Sequence, residues 1–88
     1  MSEPTYRISH HAREEAERRG IPLDVLQGVM ESPGQIVDAH SDRKAYQSKV
    51  EIKGKLYVVR AIVEATDPLT VVTVYRTSKI EKYWSDDS

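Results

Sequence analysis

The 88-residue sequence contains no cysteine, and that absence removes disulfides, thiolate zinc sites and cysteine nucleophiles together. Long apolar runs are missing too. The longest, residues 56–63, is interrupted by Arg60 and is far too short to cross a bilayer. The opening MSEPTYR has neither the basic start nor the apolar stretch of a secretory leader. The expectation is a cytoplasmic protein with no membrane partner. Nor does the sequence hold a Walker loop, a GxGxxG or GxSxG motif, an HExxH pair or a catalytic triad at recognisable spacing. No cofactor and no metal is therefore expected. Repeats and low-complexity stretches are lacking outside the closing SDDS, so residues 1–88 read as one domain with an ordered core over about residues 6–84. A chain of this size buries roughly 60–65% of its unfolded surface and holds one core.

What is present is uneven in charge. The formal net charge is −1, which by itself does not announce a nucleic-acid binder. Residues 1–40 carry four basic and seven acidic side chains, and residues 41–84 carry nine basic and five acidic. An acidic half thus precedes a basic one.

Local patterning divides the chain in the same way. Ser9 can cap a helix that runs to about Arg19, with Gly20 in the usual stop position. Ile8, Ala12 and Ala16 share one side of it, and His10, Glu14 and Glu17 another. Pro22 suits the first turn of a second helix, in which Leu23, Leu26, Val29 and Met30 follow helical spacing up to a Ser32-Pro33-Gly34 stop. The period then changes to two. Residues 35–39 form a short strand candidate, and residues 43–52 alternate with Tyr46, Ser48, Val50 and Ile52 on one face. Lys53-Gly54 is a two-residue hairpin turn. Residues 55–65 are apolar on both faces, as in a central strand, and residues 69–75 supply the last strand. A short helix over about residues 78–84 closes the domain. The predicted class is α+β, with two N-terminal helices packed on a four-stranded, mainly antiparallel sheet and a short C-terminal helix. One sheet face is left free to work.

The chemistry-bearing residues gather late. Arg60 interrupts the apolar strand, where an unpaired charge is costly. Either Glu64 or Glu51 neutralises it, or it points from the open face toward an anionic ligand. Arg76 and Lys79 follow the last strand, where side chains and backbone N–H groups can converge on a phosphate. Thr77 or Ser78 could also simply cap the closing helix. Arg60, Arg76 and Lys79 together form a candidate clamp for the charge that develops on a cleaving phosphodiester. His11 can pair with Glu15, and His10 with Glu14, one helical turn on. Histidine also exchanges protons near neutral pH. Tyr46, Tyr57, Tyr75 and Tyr83 can each pack, stack on a base or donate a phenolic proton. Tyr75 and Tyr83 stand beside cations and are the preferred pair. Trp84 reads as an anchor for the closing helix.

His11-Ala12, Arg19-Gly20-Ile21, Val25, Val29 and Ser32-Pro33, with Arg60 in an apolar strand and the ending VVTVYRTSKIEKYW, resemble the bacterial family catalogued as domain of unknown function 4258. The resemblance runs over about residues 6–84. That family is similar in layout to the RelE and BrnT toxins, small ribonucleases paired with antitoxins. The resemblance places the family's histidine on His11 and its arginine-glycine on Arg19-Gly20. Glu15 stands where many members carry arginine. It implies a toxin-like endoribonuclease that cleaves RNA without metal, through attack by the ribose 2′-OH. Arg60, Arg76 and Lys79 would hold the phosphate, and His11, Tyr75 or Tyr83 would move protons. RNA and an antitoxin protein are the implied partners. The alternative is a non-catalytic module of the same fold that binds RNA or an acidic partner.

Overall fold

The structure, a computed structural model, describes residues 6–85. Its elements in chain order are β1 (Tyr6–Ile8), α1 (His10–Arg18), α2 (Leu23–Glu31), β2 (Gln35–Asp38), β3 (Lys44–Ile52), β4 (Lys55–Glu64), β5 (Leu69–Thr77) and α3 (Ile80–Tyr83). A 3₁₀ turn at His40–Asp42 joins β2 to β3. The class is α+β as expected, but the sheet has five strands rather than four, in the order β1-β5-β4-β3-β2. The additional strand, Tyr-Arg-Ile, is too short to display a period. It is held by parallel pairing with β5, Ile8 opposite Val71. The other four strands form an antiparallel meander.

Helix α1 starts where the Ser9 hydroxyl accepts the Ala12 N–H at 3.0 Å, satisfying an amide that has no partner inside the helix. It stops at Gly20, whose φ of +66° suits a residue without Cβ. Pro22 stands one position before α2, as its N-cap. Glu15 is buried on α1 and accepts hydrogen bonds from Arg18 at 2.7 Å and Arg19 at 2.9 Å. These two bonds, the Arg18 bond foremost, hold its carboxyl below the ordinary carboxylate range. The expected His11–Glu15 pair is therefore replaced by arginines. The expected His10–Glu14 pair forms at 3.2 Å.

Both helices lie on one sheet face, α1 along β5 and α2 across β4 and β3. Ala12, Ala16, Ile21, Leu26, Val29 and Met30 meet Ile52, Val59, Ala61, Val63, Val71 and Val74 in a single core. Burying this apolar surface is the main stabilising term. Lys53 and Gly54 have φ of 52° and 82°, the backbone that lets a two-residue turn follow the strand twist.

The opposite sheet face is not wholly free. Strand alternation turns Ala45, Gln47 and Val58 away from the helices, yet all three are fully buried. The chain returns across this face as α3, and Trp84 packs against Gly34, with the Lys49 ammonium 4.8 Å above its ring. The C-terminal segment thus covers the end of the face nearest the β3–β4 hairpin and leaves the other end open.

Candidate functional site

Arg60 sits in the middle of β4 on the face away from α1 and α2. The two-residue turn pairs Ile52 with Lys55, and the same register puts Gln47 directly opposite Arg60. On the other side of β4, Tyr75 is opposite Arg60. Three side chains of three adjacent strands therefore stand in a row on one face.

Gln47 organises this row. It is completely buried, and its Oε1 accepts the Arg60 Nε–H at 2.7 Å. Its Nε2 donates to Gln35 Oε1 and to the Tyr83 carbonyl, each at 2.9 Å. Gln35 Oε1 also accepts the Ser85 N–H at 3.1 Å. The buried amide thereby holds the guanidinium with its oxygen and the C-terminal segment with its nitrogen. Arg60 also donates from Nη1 to the Tyr75 hydroxyl. Its guanidinium carbon lies 4.8 Å from the Tyr83 ring and 5.6 Å from the Tyr75 ring. The two rings meet edge to face, 6.4 Å between centroids and 73° between planes. Their π faces favour the cation without neutralising it.

No carboxylate among the described residues pairs with Arg60. Of the two candidates, Glu64 turns to Arg43, with 3.3 Å between Oε2 and Nη2, and Glu51 is exposed. Arg60 therefore carries an uncompensated, half-buried positive charge.

That charge lies beside a cleft of about 540 Å³ lined by Asp38, Ala39, His40, Arg43, Arg60, Ile62 and Tyr75. The 3₁₀ turn supplies the wall. Ser41 and Asp42 both adopt positive φ, 62° and 61°, a conformation uncommon for residues with a Cβ. This turn carries exposed His40 to the rim and half-buried Arg43 to the wall. Arg43 Nε is buried and has no hydrogen-bond partner. Asp38 at the rim is engaged by Lys44, whose bond and charge hold its carboxyl below the ordinary range. The cleft thus presents two guanidinium groups, a phenol and an imidazole to one small volume.

A family model described as domain of unknown function (DUF4258) matches residues 8–76. The chain belongs to this family. No curated protein and no solved structure matches it. The DUF4258 match contains His40, Arg43, Gln47, Arg60 and Tyr75 but ends before α3, so Tyr83 and Trp84 lie beyond it.

Within this DUF4258 chain, the residues singled out by sequence fall into two groups. Arg60, Tyr75 and Tyr83 come together. His11, Arg76 and Lys79 do not join them. His11 is exposed on α1, on the helix-covered side. Arg76 pairs with Val59 in the β4–β5 ladder, one position from the Arg60–Tyr75 pair, and so points to the helix-covered face. Lys79 is exposed ahead of α3, and its backbone N–H donates to Thr77 Oγ1 at 3.1 Å. The three-cation clamp is not formed, and for Arg76 one β-bulge explains why. Val63 pairs with Val71 but Ile62 pairs with Thr73, leaving Val72 as an extra residue. Without it, Arg76 would stand opposite Val58 and share the face of Arg60, because a one-residue shift exchanges the two faces of a strand. His40, Arg43 and Gln47 enter the site without having been singled out.

Proposed function

We propose that the chain is a toxin-like endoribonuclease that binds RNA in the Arg60 cleft and cleaves it without metal. The supporting observation is Arg60, a half-buried guanidinium with no carboxylate partner among the described residues, beside a cleft that also holds His40, Arg43 and Tyr75. An anionic group in this cleft completes the charge balance of the site, and a phosphodiester has the charge and shape to take hydrogen bonds from guanidinium donors.

The reaction is built from those groups. The ribose 2′-oxygen attacks the adjacent phosphorus, the bond from phosphorus to the 5′-oxygen breaks, and the products are a 2′,3′-cyclic phosphate and a 5′-hydroxyl end. His40 takes over the proton-transfer role assigned from sequence to His11. Tyr75, polarised by its hydrogen bond from Arg60, stands where a phenol can protonate the leaving oxygen. Arg60 and Arg43 stabilise the additional negative charge of the five-coordinate phosphorus. A cytoplasmic setting and an antitoxin partner belong to the same reading.

A ribonuclease assay in the presence of a metal chelator tests it. Wild type is expected to yield cyclic-phosphate ends. Arg60→Ala and His40→Ala should each lower the rate about 100-fold or more, and His11→Ala should not. Cleavage unchanged in Arg60→Ala would remove the cleft from the mechanism. The remoteness of His11 from Arg60 favours a second reading, in which the cleft binds RNA or an acidic partner without cutting it. Binding that depends on Arg60, with no cyclic-phosphate product, would establish that reading instead.

A further inference from the structure

Arg76, like Arg60, is a guanidinium of the sheet without an ion-pair partner among the described residues, and it serves a different face. Its guanidinium carbon is 4.5 Å from the Tyr57 ring, and the Lys55 ammonium is 5.7 Å from the same ring. Gly20 lies against it: a Cβ there would be 3.7 Å from Arg76 Nη2. Gly20 is also one wall of a groove of about 560 Å³ between α1 and the start of α2. The carbon surface of this groove comes from Ala16, Ile21, Pro22 and Leu23, while Arg13 and Glu17 of α1 line its other side, and Leu23 is 42% exposed although its neighbours in the pattern are buried. The apolar floor of the groove and the Arg76 guanidinium thus meet at Gly20, on the side away from Glu17.

We propose that this groove docks a peptide segment in which a large apolar side chain stands next to a carboxylate. The apolar side chain lies between Ile21, Pro22 and Leu23, and the carboxylate reaches Arg76, with Lys55 adding to the positive field. Both halves of that ligand are read from complementarity: carbon surface for carbon surface, and an acid for a guanidinium stacked on tyrosine. An RNA strand fits less well. The groove offers aliphatic carbon where a base needs an aromatic face or hydrogen-bond partners, and the one ring nearby, Tyr57, already carries Arg76. The proposal does not depend on the Arg60 cleft, which lies across the sheet.

The experiment is a ¹⁵N–¹H NMR titration of the full chain with a blocked hexapeptide, acetyl-Gly-Ser-Leu-Asp-Leu-Ser-amide. The backbone amides of Gly20 and Leu23 and the Nε–H of Arg76 are expected to shift together with one dissociation constant. Replacing the peptide's Asp by Asn should weaken binding about tenfold, as should Arg76→Gln in the protein. Leu23→Ser, an exposed position that does not threaten folding, should weaken it as well. Arg60→Ala should leave it unchanged. Equal affinity for the Asp and Asn peptides, or no movement of these signals at millimolar peptide, would overturn the proposal. An RNA oligonucleotide that moves the Gly20 and Leu23 amides would overturn it in favour of a nucleic-acid surface.

Discussion

Arg60 keeps its charge in the middle of a sheet because a neutral amide and two aromatic rings surround it in place of a carboxylate. A carboxylate would have satisfied the strand equally well and closed the site to anions. Gln47 avoids that outcome by giving Arg60 an acceptor without a counter-charge, while its own amino group holds Gln35 and the Tyr83 carbonyl. Gln47→Leu keeps the approximate volume but leaves the Arg60 Nε–H and the Tyr83 carbonyl without their partner. Unsatisfied buried groups of this kind cost about 2–3 kcal/mol, which urea unfolding would register as a lower midpoint at unchanged slope. Removing both partners is gentler than removing one. Arg60→Met combined with Gln47→Leu should therefore recover part of the loss, the non-additivity expected of directly bonded residues. Strict additivity of the two changes would mean that solvent, and not Gln47, satisfies Arg60.

The C-terminal segment is the element that turns this pair into a site. The α3 helix is only four residues long and has no side-chain cap, so its position rests on contacts at its end: Gln47 holds the Tyr83 carbonyl, Trp84 lies against Gly34, and Ser85 is joined to Gln35. A Cβ at Gly34 would lie 2.7 Å from Trp84 Cη2 and 3.3 Å from the Gln47 carbonyl oxygen. In Gly34→Ala the ring, at the end of a short segment, gives way before the strand does. Trp84 is the one tryptophan of the chain, so its fluorescence reports the change directly. Emission should shift to longer wavelength and become easier to quench, at a stability cost of about 1 kcal/mol. An unaltered spectrum would mean that Trp84 does not wedge against β2. Elements also separate what sequence can and cannot reveal. Lys53-Gly54 fixes the β3–β4 register, so the Gln47–Arg60 pair was legible from a two-residue turn and simple counting. The β4–β5 register was not, because the bulge at Val72 leaves no mark in an apolar run of β-branched residues. Its single extra residue moved Arg76 from the expected clamp to the other face. The 3₁₀ turn that delivers His40 and Arg43 depends on two left-handed residues, Ser41 and Asp42, neither of which is glycine. The three residues of β1 likewise carry no period that a sequence can display.

On the scale of the whole molecule, the basic half of the sequence supplies guanidinium groups to both faces of the sheet. Arg60 faces the open cleft and Arg76 the α1–α2 groove, so one ligand lying flat on either face cannot meet both. With a net charge of −1, the molecule has no general attraction for polyanions, and the proposed RNA binding rests on the few cations in the cleft. This limits how steeply binding can respond to salt. Arg60 and Arg43 together neutralise at most two phosphates. For a single strand the slope of log K against log salt is about −0.7 per neutralised phosphate, hence about −1.4 here. Anisotropy titrations of a labelled oligouridylate over a range of potassium chloride concentrations would measure it. Arg60→Ala should reduce the slope to about −0.7, and Arg76→Ala, on the other face, should leave it unchanged. A slope several-fold steeper, or one lowered by Arg76→Ala, would move the RNA from the cleft to the basic end of the sheet near Lys53, Lys55 and Lys79. The same result would make the α1–α2 groove part of a nucleic-acid surface, and the two faces would no longer have separate ligands.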